Sequence, residues 1–178
     1  MGYYLKYLAP ILMLGLVSCS KWQDKPGKDP GLSNHYCNDP LAINYNHGFP
    51  GIADNSVCIF PADPFTGTYN FSDTIYLPDP DTLYPSPATL KIIALSKQRF
   101  ALEQFCPSRQ LKFFADRYYR SVSDTDTFIG PGKQLMCRTV DTVSGTLEYR
   151  QSDSSIYITF HVTSDTGTSI HQARAYKQ

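Results

Sequence analysis

Residues 156–163 read IYITFHVT and alternate without a break. Ile156, Ile158, Phe160 and Val162 share one face of an extended chain; Tyr157, Thr159, His161 and Thr163 share the other. Strict period-2 alternation is the mark of a strand with one face in a core and one toward water. The pattern recurs. Leu147 and Tyr149 alternate with Thr146, Glu148 and Arg150, and Gln151 to Ser155 supply a turn. Asp165-Thr166-Gly167-Thr168 turns the chain into Ser169–Tyr176. Leu90–Leu95 and Arg99–Phe105 flank Ser96-Lys97-Gln98 as a hairpin, and Leu111–Tyr119 and Gln134–Val143 read as further strands. That is about eight or nine short strands, at the spacing of an all-β barrel or sandwich. No segment has a helical period. Leu77 to Pro87 holds Pro78, Pro80, Pro85 and Pro87, which remove ladder donors, so it reads as a long loop.

Before residue 65 the text is different. Residues 1–18, MGYYLKYLAPILMLGLVS, place Lys6 ahead of an apolar run from Leu8 to Val17. The run is too short to span a bilayer but suits the h-region of a signal peptide. It ends in Leu16-Val17-Ser18-Cys19, which resembles the lipobox of bacterial lipoproteins. The resemblance implies cleavage before Cys19 and acylation of that residue, palmitate included. Two or more chains hold a protein stably on a membrane, whereas one holds marginally. No Asp occupies the two positions after Cys19. The resemblance therefore implies the outer membrane rather than retention at the inner one, with periplasmic or surface orientation left open. Residues 19–36, rich in Lys, Pro and Gly, read as a solvated tether.

Five cysteines occur: Cys19, Cys37, Cys58, Cys106 and Cys137. Lipid on Cys19 leaves four, which allow three pairings. Cys37–Cys58 and Cys106–Cys137 are favoured, since each pair closes a modest loop within one segment. Each should stabilise the fold by roughly 3 to 4 kcal/mol in the chain-entropy model. Residues 37–60, CNDPLAINYNHGFPGIADNSVCIF, resemble a short cysteine-bounded module of exported Gram-negative proteins. The carriers are Cys37, Asp39, Pro40, Ala42, Asn44, Tyr45, Asn46, Asp54, Ser56 and Cys58. Its Asx residues supply oxygens hard enough for calcium, but turns account for them and the EF-hand spacing is absent. No metal is expected.

Residues 65–178 resemble the small lipocalin-like or calycin-type barrels that follow lipoprotein signals. The carriers are Phe65-x-Gly67-x-Tyr69, Gly145-Thr146-Leu147-x-Tyr149, and the closing strands Ile156–Val162 and His171–Lys177. Lipocalins open with G-x-W; here Tyr69 stands at the Trp position. The resemblance implies a β-barrel binding module with room for a small hydrophobic ligand. The other reading is a filled barrel whose partner, a glycan or envelope protein, meets an outer face.

Charge balances at 16 basic and 16 acidic side chains, so there is no basic field for nucleic acid. No nucleophile elbow, zincin, phosphate-loop or C-x-x-C motif is present. The chain therefore reads as non-enzymatic and without a cofactor. His161 and His171 fall on adjacent predicted strands as two solvent-side imidazoles that face each other. Asp73 shares a face with Phe71 and Ile75, which a sheet-edge position would explain. Phe113-Phe114 and Tyr118-Tyr119, beside Arg117 and Arg120, offer stacking groups for a sugar or a partner, with one member of each pair inward. Asp73-Thr74-Ile75, Asp81-Thr82-Leu83 and Asp141-Thr142-Val143 resemble bacterial O-glycosylation tripeptides.

Overall fold

The computed structural model describes residues 31–46, 50–78, 81–106, 109–137 and 140–178, with the side chains of 104–106 excepted. Cys19, the signal segment and most of the tether lie outside these residues. Two compact units emerge: Met1–Asn34 with Pro50–Ile52, and His35–Phe49 with Ala53–Gln178. In the described part of the first, the Ile52 N–H donates to the Asn34 carbonyl at 2.8 Å. The second holds both the cysteine-bounded segment and the barrel.

Twelve strands occur among the described residues: β1 His35–Tyr36, β2 Ile52–Ala53, β3 Gly67–Tyr76, β4 Thr82–Leu83, β5 Ala88–Ala94, β6 Arg99–Cys106, β7 Arg109–Ala115, β8 Arg120–Ser123, β9 Gln134–Leu135, β10 Thr142–Arg150, β11 Ser155–Ser164 and β12 Gly167–Lys177. No α-helix occurs among these residues. Eight strands pair antiparallel in chain order: β3, β5, β6, β7, β8, β10, β11 and β12. Pairing of β12 with β3, from Ile170↔Tyr76 to Lys177↔Tyr69, closes the ring. The result is the small antiparallel barrel of lipocalin-like type. Closure removes both sheet edges, the usual aggregation liability of β proteins.

Alternation places the interior as expected. Ile156, Ile158 and Phe160 are sealed, and Val162 is 8% exposed. Phe113 is buried while Phe114 points outward. Rings fill much of the barrel. Phe65 stacks on Phe100 with centroids 4.7 Å apart, Phe100 on Phe113 at 5.6 Å, and Phe113 on Phe160 at 5.8 Å. Eight strands give an interior about wide enough for side chains to fill. Phe65 comes from a 3-10 turn, Asp63–Phe65, ahead of β3. The Ala62 N–H donates to the Lys97 carbonyl in the β5–β6 hairpin, so this turn plugs the near end. Tyr69 is also sealed, and its hydroxyl donates to the Phe65 carbonyl at 3.0 Å. Burial pushes the Tyr69 phenol well above its usual range.

Gly145 is required by a close approach. A Cβ there would lie 2.3 Å from the Thr159 carbonyl oxygen and 2.5 Å from the Phe160 ring. Facing it, the Ser123 hydroxyl receives the Gly145 N–H at 2.7 Å and donates to the Gly145 carbonyl at 3.1 Å.

Two expected strands divide. Leu111–Tyr119 becomes the end of β7 and a turn into β8. Tyr119 takes a left-handed φ of 64°, and Asp116 Oδ1 accepts the Tyr118 and Arg120 N–H groups. Gln134–Val143 becomes β9 and the start of β10. Gln134 instead clamps β7: its amide oxygen accepts the Lys112 N–H at 2.8 Å, and its amide nitrogen donates to the Lys112 carbonyl.

The cysteine-bounded segment has the expected Cys37–Cys58 bridge. Its Asx residues act as turn hydrogen bonders. The Asn44 amide donates to the Val57 carbonyl and accepts from the Ile59 N–H, each at 2.8 Å. Asp54 accepts the Ser56 hydroxyl and N–H, and it meets His35 Nδ1 at 2.6 Å. These bonds, the Ser56 hydroxyl first and His35 next, hold its carboxyl down at about 2. Asp39 pairs with Lys97, and Arg117 donates to the Pro40 carbonyl at 2.8 Å, so the segment is latched to the near-end hairpins. The Lys97 hydrogen bond, with the Leu41 N–H second, lowers the Asp39 carboxyl. Cys137 is also disulfide-bonded. The side chain of Cys106, its expected partner, lies outside the described residues.

Candidate functional site

Register decides where the polar residues of these strands point. Asp73 sits on the inner face of the barrel with its side chain 7% exposed. β12 pairs along one side of it, while on the other side the β3–β5 ladder ends at Phe71 and β4 joins at Ile75. His161 and His171 do not face each other. His171 is opposite Phe160 and His161 opposite Ile170, so one imidazole points in and the other out. A difference of one residue in register reverses a side chain's face.

The inward His171 meets Asp73 instead. Its Nδ1 lies 2.7 Å from Asp73 Oδ2 across the β12–β3 pair, and its Nε2 lies 3.2 Å from the Ser169 hydroxyl. A carboxylate only accepts hydrogen bonds, so the imidazole proton on this side is on Nδ1. Asp73 Oδ1 is buried without a hydrogen-bond partner among the described residues. Among these residues His171 is the one ion-pair partner of Asp73. Ile75 and Val162 share the inward face nearby, as the register partners of His171 and Ser169, while Leu83, opposite Ile75 on β4, is half exposed.

The order serine, histidine, aspartate matches that of acyl-transfer enzymes. Such chemistry also needs free N–H groups aimed at an oxyanion, usually its largest single contribution. Ser169 pairs with Val162 of β11 and lies one residue outside the β12–β3 ladder, which begins at Ile170↔Tyr76.

The second candidate is on the outer wall. The register aligns Tyr157, Arg174 and Ser72 in one row across β11, β12 and β3, and Thr159, Gln172 and Thr74 in the next. With Tyr176 they line a concavity of about 590 Å³. The Arg150 and Arg174 guanidinium groups lie 4.0 and 4.7 Å from the Tyr157 ring centroid, and Arg174 lies 4.8 Å from that of Tyr176. Asp153 pairs with Arg174 at the rim, and its carboxyl is lowered, chiefly by the Ser155 hydroxyl. A further concavity of about 610 Å³, beside β7 and β9, is lined by Arg109, Lys112, Asp124 and Asp126 among others.

The aromatic residues singled out in the sequence divide between core and surface, with Phe113 inward and Phe114 outward. Phe113 is core, Arg117 is engaged by the Pro40 carbonyl, and Tyr118 is 72% exposed on a turn. The outer-wall residues were legible only as the polar side of alternating strands. Among the described residues no group of three or more His, Cys, Asp or Glu is placed to hold a metal ion. No family model matches the chain, and it matches neither a curated protein nor a solved structure.

Proposed function

We propose that this chain is a non-enzymatic lipoprotein of the cell envelope, anchored through lipid on Cys19 at the outer membrane. It acts as a binding module, and its outer wall over β3, β12 and β11 contacts a glycan. One observation carries this: the register lines up hydroxyl, amide, guanidinium and tyrosine groups in adjacent rows on an open concave face. Sugars present dense hydroxyls and apolar C–H faces, which such rows can match by hydrogen bonding and stacking. The ring stack from Phe65 to Phe160 supports a wall site over a ligand threaded through the barrel.

The test is affinity electrophoresis of the mature chain through gels holding laminarin, alginate or dextran. Retardation by at least one, relieved by Tyr157→Ala or Gln172→Ala, supports the reading; unretarded migration in all three refutes it. Palmitate labelling that is lost in Cys19→Ser tests the anchor.

A second reading keeps a small ligand inside the barrel, confined to the half away from Phe65. The observation favouring it is a buried carboxylate on the inner face of the barrel, with one oxygen that has no hydrogen-bond partner among the described residues.

A further inference from the structure

Burying a carboxylate is costly, and a well-packed apolar replacement is often as stable or more so. The barrel nevertheless carries Asp73 on its inner face. His171 takes up one carboxylate oxygen at 2.7 Å, and Ser169 in turn contacts His171 at 3.2 Å. That chain fixes the carboxyl group and leaves Oδ1 unsatisfied. A fully structural pair would be expected to bond both oxygens, because a buried unsatisfied acceptor costs about 1–3 kcal/mol or more when charged.

We infer that Asp73 anchors a small-ligand site in the barrel half away from Phe65, and that this site takes a short apolar amine. The inference rests on the second reading above and names its ligand class. The chemistry is selective. Oδ1 can only accept, so the ligand must donate. His171 is the one ion-pair partner of Asp73 among the described residues, and no Lys or Arg among them pairs with it. An ammonium supplies both the donor and the opposite charge, and a charge-assisted bond is about twice as strong as a neutral one. An alcohol supplies the donor alone, and a carboxylate ligand is repelled. The inward apolar neighbours Ile75 and Val162 suit an alkyl chain. Because Oδ1 is sealed from solvent, the head group must be small and its chain narrow, as in a straight primary amine. His171 is a positioning residue: it orients the carboxyl group and makes no contact with the ligand.

The experiment is calorimetric titration of the mature chain with hexylamine, hexan-1-ol and hexanoate, with imidazole ¹⁵N shifts of His171 as the site-specific readout. Hexylamine should bind at least about 10-fold tighter than hexan-1-ol and move the His171 resonances, and hexanoate should not bind. Asp73→Asn, which keeps the shape and an acceptor for His171, should weaken hexylamine at least about 10-fold. Should that variant fail to fold, the comparison of the three ligands on the unaltered chain still decides. Equal binding of amine and alcohol at this site, unchanged in Asp73→Asn, overturns the amine assignment and leaves the interior site standing. Binding of none of them overturns both. Covalent capture of Ser169 by a fluorophosphonate, without hexylamine binding, overturns it in favour of a nucleophilic serine.

Discussion

Replacing His171 by leucine should be among the most damaging single changes available inside the barrel. The Asp73 side chain is 7% exposed and that of His171 12%, so neither is much relieved by water. Removing the imidazole leaves a buried carboxylate with Oδ2 newly unpaired beside an Oδ1 that already lacks a partner. Breaking one side of a buried pair costs about 3–5 kcal/mol, because the remaining charge stays uncompensated. For a domain of this size that is a fall in Tm of roughly 10 to 25 °C. Adding Asp73→Val to His171→Leu removes the stranded charge, so the double variant should recover most of the loss. Urea denaturation followed by circular dichroism, run as a double-mutant cycle, measures both terms. The reasoning fails if His171→Leu costs under about 1 kcal/mol, or if the double variant is no more stable than the single.

Three further outcomes follow from other contacts. Gly145→Ala should destabilise the barrel by about 1–3 kcal/mol through overpacking, since its new Cβ would meet the Thr159 carbonyl oxygen and the Phe160 ring; urea midpoints check this. Cys58→Ser opens a loop with a sequence separation of 21 and should cost about 3 kcal/mol, with proteolysis of residues 37–60 rising well before that of the barrel. Asp54 gives a pH signature. Its carboxyl is lower in the folded chain than its ordinary 3.8, so its contribution is complete above that pH and is lost as pH falls toward about 2. Limited pepsin digestion between pH 4 and 2 should cut the cysteine-bounded segment progressively more in the natural chain. In Asp54→Asn the same segment should be more open already at pH 4.

Local information settled much of this molecule. Alternation in Ile156–Thr163 separated the inward Ile156, Ile158 and Phe160 from the outward Tyr157 and Thr159 without reference to any partner strand. Cysteine spacing picked out the Cys37–Cys58 bridge. Turn chemistry accounted for Asn44 and Asp54. Period 2 reports only which side chains share a face, however. It says nothing of what lies across from them, or of whether a sheet has an edge. Pairing of β12 with β3 joins residues about a hundred positions apart, and it set Asp73 on the inner face beside His171. Register, set by both strands of a pair together, sent His171 inward and His161 outward and aligned Tyr157, Arg174 and Ser72 in one row. Both candidate sites are products of that non-local pairing, so only the closed tertiary structure could assemble them.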